Sequence, residues 1–106
     1  MDCIFCKIVN KEIPADIVYE DKNYLAFKDI RPKAKVHLLI IPKKHIERFD
    51  TMKEEDLKLV SWLMGIAYKI IKEQNLNWCR LQINCWKDHW QEVFHIHLHL
   101  MSWINS

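Results

Sequence analysis

His95-Ile96-His97-Leu98-His99-Leu100-Met101 is the stretch that decides how this chain is read. Its strict alternation predicts a strand over 94–101, because side chains two positions apart on a strand share a face. The three imidazoles would project from one face, and Ile96, Leu98 and Leu100 from the other, into a core. Adjacent imidazoles are poor choices for stability alone. Each needs hydrogen-bond partners, and protonation of one disfavours protonation of the next. They suit chemistry near neutral pH, where imidazole acts as nucleophile, acid, base or metal ligand. The competing readings are a polar face that merely carries histidine and a three-histidine metal site. On an extended strand, His95 and His99 would stand about 13 Å apart. One ion would not reach all three rings without a bend, so the pattern favours separate roles.

Working outward, residues 79–85 alternate and read as another strand. The run His37-Leu38-Leu39-Ile40-Ile41, ended by Pro42, fits a mostly buried strand. Residues 17–20 and 24–28 read as strands joined by the turn-like Asp21-Lys22-Asn23, a hairpin. Residues 4–9 suit a short helix. Thr51-Met52-Lys53-Glu54 has the spacing of a capping box and would open one long helix over 53–74. Its apolar face would be Leu57, Val60, Leu63, Met64, Ala67, Ile70 and Ile71. The expected architecture is α+β, a five-stranded mainly antiparallel sheet with one long helix and a short N-terminal helix. Residues 1–106 would form a single domain. The helix covers one sheet face, and a second copy of the chain would suit the other face or an edge.

The chain has 106 residues and a formal net charge of +2. Its lysines are scattered, which argues against a dedicated nucleic-acid binder. No apolar run is long enough for a membrane span, and the N-terminus lacks the basic and apolar regions of a signal peptide. Cytoplasmic residence is the expectation. There the four cysteines, Cys3, Cys6, Cys79 and Cys85, would be thiols or metal ligands. Cys3-x-x-Cys6 could be half of a zinc site, a redox pair or two unrelated thiols. Cys79 and Cys85 would pack as small apolar residues.

The motif resembles that of the histidine-triad (HIT) family, in its nucleotide-binding HINT branch. Residues 95–101 match the alternating His-apolar pattern throughout, and the likeness extends to most of the chain. Asp2-Cys3-Ile4-Phe5-Cys6-Lys7-Ile8, Glu12-Ile13-Pro14-Ala15, Ala26-Phe27-Lys28-Asp29-Ile30, the segment from His37 to Ile46, Asn84 and Gln91-Glu92-Val93 all fit. The resemblance implies a HIT fold and a hydrolase of nucleoside monophosphate phosphoramidates or related adenylylated compounds. It would act through a nucleotidyl-histidine intermediate and need no organic cofactor. His97 would be the nucleophile, His99 would contact the phosphoryl oxygens and His37 would support the triad. Asp29 would accept the ribose hydroxyls, with Ile8, Phe27 and Ile30 around a purine base. Asn84, Gln91 and Glu92 would lie near the phosphate. Cys3, Cys6, His45 and His95 would hold a structural zinc ion, and the protein would be a homodimer. The alternative is a non-catalytic nucleotide-binding protein, or a zinc-stabilised interaction protein, on the same fold. Local chemistry offers plainer roles too: Ile8, Phe27 and Ile30 as core, Asp29 as a turn cap, and Glu92 as a solvated side chain.

Gly65 is the single glycine, against five tryptophans. Trp78, Trp86, Trp90 and Trp103 fall where the family pattern has glycine, a residue that permits positive φ and close backbone approach. Two readings stand open. These residues could be genuine aromatic walls. They could also be glycines whose codons, one base from tryptophan codons or a reassigned stop, have been read as tryptophan.

Overall fold

The computed structural model describes residues 3–85 and 93–105. Among these residues, five strands form one sheet: β1 Ile17–Glu20, β2 Tyr24–Lys28, β3 Val36–Pro42, β4 Leu76–Ile83 and β5 Leu98–Asn105. The order is β1-β2-β3-β5-β4, and every neighbouring pair is antiparallel. The α+β class and the hairpin over 17–28 are as the sequence predicts.

β2 and β3 explain why their sequences are apolar without alternation. Tyr24, Ala26, Leu38 and Ile40 face one side of the sheet, in a core completed by Val60, Leu63, Ile66, Ala67 and Ile70. Leu25, Phe27, Leu39 and Ile41 face the other side and pack with Cys3, Phe5 and Ile8. Strands buried on both faces read as continuous hydrophobic runs. The second face is therefore covered in part by α1, Ile4–Val9, from the chain itself.

The long helical run differs in detail from the pattern. It begins with a 3-10 turn at Glu54–Asp56, capped by Lys53 without a side-chain bond, so the Thr51 capping box does not form. α2, Leu57–Ser61, and α3, Leu63–Gln74, are separated at Trp62. The buried stripe runs on through Trp62, whose N–H donates to the Lys58 carbonyl and whose carbonyl accepts the Ile66 N–H. Leu57 and Met64 are exposed, while Ile66, which a face drawn through residues 57 and 64 omits, is fully buried. Gly65 is needed by packing: a Cβ there would stand 2.7 Å from the Trp62 ring. Asn75 ends α3 in the left-handed region, φ 55°, as a helix C-terminus commonly requires.

β4 lies at the sheet edge, with Asn77, Trp78, Arg80 and Gln82 outward while Leu76 is buried in the main core and Cys79, Leu81 and Ile83 pack against it. Trp78 takes φ 55°, in the left-handed region within a strand. Among the described residues no helix is long and apolar enough to cross a membrane.

Candidate active site

The expected strand over 94–101 is corrected at its start. β5 begins at Leu98, so His95 and His97 precede it and only His99 lies within it. The backbone bonds show why. The Ile96 N–H donates to the Ile46 carbonyl at 2.6 Å, and the His95 N–H to the Val93 carbonyl at 2.8 Å. This segment follows the loop after β3 until the ladder starts with Leu98 opposite Ile40. The apolar side chains still alternate inward, because any extended segment has that periodicity.

His95 is fully buried, and its Nε2–H donates to the Pro42 carbonyl at 2.8 Å. A carbonyl only accepts, so Nδ1 carries the lone pair. That atom lies 3.5 Å from Cys3 Sγ and 3.6 Å from Cys6 Sγ, and His45 Nδ1 lies 3.4 Å from Cys6 Sγ. Cys3 is the N-cap of α1 and its sulfur accepts the Cys6 N–H at 3.4 Å, which brings both thiols to one end of the helix. The ligand atoms of Cys3, Cys6, His45 and His95 all lie within 4.8 Å of one another. Burial, reinforced by Cys3, pushes the Cys6 thiol up to about 11. Burial, with His45 and His97 beside it, pushes His95 down to about 4. Two thiols and two imidazoles are a donor set that fits tetrahedral zinc, whose charge would favour the thiolates.

The other two triad rings have their protons assigned in the same way. The Nδ1–H of His97 donates to the His95 carbonyl at 2.8 Å, leaving the lone pair on Nε2. The Lys33 N–H donates to Nδ1 of His37 at 3.0 Å, so His37 is protonated at Nε2 and donates from there to His99 Nδ1 at 3.0 Å. His99 must then carry its own proton on Nε2. The His97 and His99 rings are 4.9 Å apart between centroids. Burial, then the neighbouring His97 and His37, pushes His99 down to about 4, with Asp29 opposing. Burial likewise lowers His37, again opposed by Asp29. The result is a lone pair (His97) beside an N–H donor (His99). That pairing can attack an electrophilic centre and bind the oxygen on which charge develops.

Asp29 sits at the far end of this chain, with Oδ2 3.5 Å from His37 Nε2. Its Oδ1 accepts the Arg31 N–H at 2.9 Å, so the turn-capping role is present as well. Ile8 and Phe27 are buried in the second core, whereas Ile30 is 90% exposed and stands away from them. Asn84 is half-buried, and its Oδ1 accepts from Gln82 Nε2–H at 2.8 Å. Gln91, Glu92, Trp86 and Trp90 lie outside the described residues. Cys79 and Cys85 are half-buried, and Cys79 packs against the main core.

Three contributors escape the sequence reading. The Lys33 N–H and the Pro42 carbonyl are backbone groups with no side-chain signal. Phe5 looks like any core residue, yet its ring meets those of His95, His97 and Phe27.

The five-stranded antiparallel sheet and its helices match the fold of solved HIT family hydrolases. A family model described as "Scavenger mRNA decapping enzyme C-term binding" matches residues 2–106. The chain is 45% identical over 102 residues to Protein HitA of Neisseria gonorrhoeae, covering 95% of each. A solved HIT family hydrolase from Legionella pneumophila is 48% identical, with a TM-score of 0.88, over 95% of this chain and 92% of that one. A histidine triad protein from Clostridium difficile is 42% identical, with a TM-score of 0.89, over 96% and 90%. The chain belongs to the histidine-triad family.

Proposed function

We propose that this protein hydrolyses nucleoside monophosphate phosphoramidates or related adenylylated compounds through a nucleotidyl-histidine intermediate. The observation that carries the reading is the pairing of a lone pair on His97 Nε2 with an N–H on His99 Nε2. His97 Nε2 attacks the α-phosphorus, and the bond from phosphorus to the leaving nitrogen breaks. The departing amine takes a proton from solvent, and the water that attacks next returns one to solvent. Water then attacks the same phosphorus, the phosphorus–imidazole bond breaks, and a nucleoside monophosphate leaves with the restored imidazole behind it. His99 donates to the phosphoryl oxygen as charge grows there, and His37 keeps His99 in the required tautomer.

In this reading Asp29 accepts the ribose hydroxyls, and Ile8, Phe27 and Ile30 border a purine base. The exposed Ile30 would have to fold over the ligand. Asn84, Gln91 and Glu92 serve the phosphate end. Zinc held by Cys3, Cys6, His45 and His95 is structural, since four protein donors leave no open position. Residues 1–106 act as one cytoplasmic domain within a homodimer. The dimer reading is supported by the edge position of β4 and by Met64 and Tyr68 exposed on α3.

The direct test is adenosine 5′-phosphoramidate with the purified protein. The expected result is release of adenosine monophosphate and an adenylylated His97 trapped on acid quench, both lost in His97→Ala. Nucleotide binding without turnover would favour a binding protein instead.

A further inference from the structure

Phe5 occupies an unusual position between the two halves of the site. It lies in α1, two residues after the N-cap Cys3 and immediately before Cys6, so both of its sequence neighbours in the Cys/His cluster fix its backbone. Its ring is buried and meets three others edge to face. The centroid distances are 5.2 Å to His97 at 88°, 5.9 Å to His95 at 69° and 5.5 Å to Phe27 at 72°. These are the separations and angles that aromatic quadrupoles favour. His97 precedes β5, so no ladder holds its ring. Its orientation rests on one hydrogen bond to the His95 carbonyl and on the rings packed against it. His95, which supplies that carbonyl, places its own side chain in the Cys/His cluster.

We propose that Phe5 is a positioning residue that couples the Cys3-Cys6-His45-His95 cluster to the orientation of the His97 imidazole. Two links run in parallel from the cluster to this ring: the His95 carbonyl, and the Phe5 side chain anchored between Cys3 and Cys6. When the cluster is closed, both links hold the ring with its Nε2 lone pair directed outward. When it opens, both relax together. The cluster then does more than stabilise the fold, because it orders the group that reacts. The proposal rests on His97 being that group, but its structural half can be read without any substrate.

The experiment is nitrogen–proton NMR of the histidine rings at one fixed neutral pH, in zinc-loaded protein. Wild type is expected to show His97 as a single Nδ1–H tautomer. Phe5→Leu, which keeps an apolar side chain but removes the ring, is expected to show His97 averaging between tautomers. With adenosine 5′-phosphoramidate it should lose about 10–100-fold in kcat with KM nearly unchanged, since small misplacements of a reacting group cost that much. Phe5→Tyr, which keeps the ring, should restore the wild-type pattern. Ile70→Val trims the core on the other face of the sheet, away from Phe5 and His97, and should leave the His97 tautomer unchanged. Zinc chelation of the wild type should reproduce the Phe5→Leu spectrum, and this arm serves also where Phe5→Leu does not fold. A wild-type His97 spectrum in both Phe5→Leu and the chelated protein overturns the proposal. Equal disturbance by Ile70→Val also overturns it, because the effect would then be general loosening. A wild type that shows these tautomers but turns over no phosphoramidate defeats the proposed function and leaves the coupling standing.

Discussion

His97 donates its Nδ1–H to the backbone carbonyl of His95 at 2.8 Å, so one triad histidine sets the tautomer of the next through its main chain. The bond leaves the Nε2 lone pair as the reactive one. A substitution that keeps this backbone but deletes the ring should therefore remove chemistry and spare the fold. His97→Gly is expected to lose on the order of 10⁴-fold or more in kcat, as removal of a covalent nucleophile does elsewhere. Added imidazole should recover part of the rate. Rescue kinetics with the phosphoramidate check this, and an unrescued variant with a wild-type melting curve would count against His97 as nucleophile.

His37 reaches the His97–His99 pair through His99, and its Nε2 also lies 3.5 Å from Asp29 Oδ2. Lys33 N–H, His37 and His99 form a relay in which each bond fixes the next proton position. His37→Phe breaks it in the middle and leaves His99 Nδ1 without its donor. Groups that orient a reacting residue commonly contribute 10–100-fold, so a kcat loss of about that size is expected. His37→Gln, whose amide N–H can replace the donor, should lose less. Equal losses in the two variants would show that His37 acts by filling space.

How much of this was legible in the sequence follows from which forces act locally. The alternation in 95–101 located the site and the buried Ile96, Leu98 and Leu100, because side-chain direction in an extended chain depends on backbone alone. It did not locate the start of β5, because a ladder needs a partner, and here the Ile96 N–H finds the Ile46 carbonyl in a loop. The Thr51–Glu54 spacing resembled a capping box, but the chain enters its 3-10 turn at Lys53. The apolar helix stripe misses Ile66 because a face drawn through Leu57 and Met64 is centred to one side of the face that Val60, Leu63, Ala67 and Ile70 bury. The Cys3-x-x-Cys6 spacing offers half of a site and the family resemblance implies His45 and His95; the structure brings the four side chains together. Phe5 was not found, since an aromatic ring against a reacting imidazole has the same sequence signature as one in any core.

Acid should destabilise the protein through the same relay. His99 is held down to about 4, and His37 is also lowered, from an ordinary value of 6.5. Both groups are neutral in the folded protein where the unfolded chain would bind a proton. Stability is thus fully present above about pH 6.5 and falls as pH drops from there toward 4, by up to about 1.4 kcal/mol per pH unit for each proton taken up. Urea midpoints at pH 7 and pH 5 measure the drop. In His99→Gln the drop should be smaller by about one proton's worth, and an unchanged pH dependence would assign the acid sensitivity to other groups.

Zinc should stabilise the chain, and more so the further its free concentration exceeds the dissociation constant. A ligand that binds only the folded state contributes about 2.7 kcal/mol at one hundred times its dissociation constant. The thermal midpoint of chelated protein is expected to rise with added zinc, and Cys6→Ser or His45→Ala should flatten that rise. A midpoint indifferent to zinc in the wild type would leave the four side chains as a hydrogen-bonded cluster without a metal role.

Trp78 offers the clearest conflict between residue and backbone. It takes φ 55° inside β4, and it is 80% exposed. The ladder pairs Asn77 with Ile104 and Cys79 with Ser102, so Trp78 stands across from Trp103 at a position where no pairing forms. Trp103 at least has the Arg80 guanidinium over its ring, 5.1 Å from the centroid. Among the described residues nothing comparable offsets the left-handed backbone at Trp78, which costs a residue with a Cβ about 1–2 kcal/mol. Trp78→Gly is expected to raise stability by about 1 kcal/mol, the strain relieved less the extra freedom glycine has when unfolded. Equilibrium unfolding in urea decides it, and a destabilised variant would show that the indole does useful packing. A gain would strengthen the reading that the cell places glycine here. Intact mass of the native protein then separates the two cases, because each glycine in place of tryptophan removes a whole indolylmethyl side chain. A mass that matches five tryptophans would rule out misreading and leave Trp78 as a strained but genuine residue.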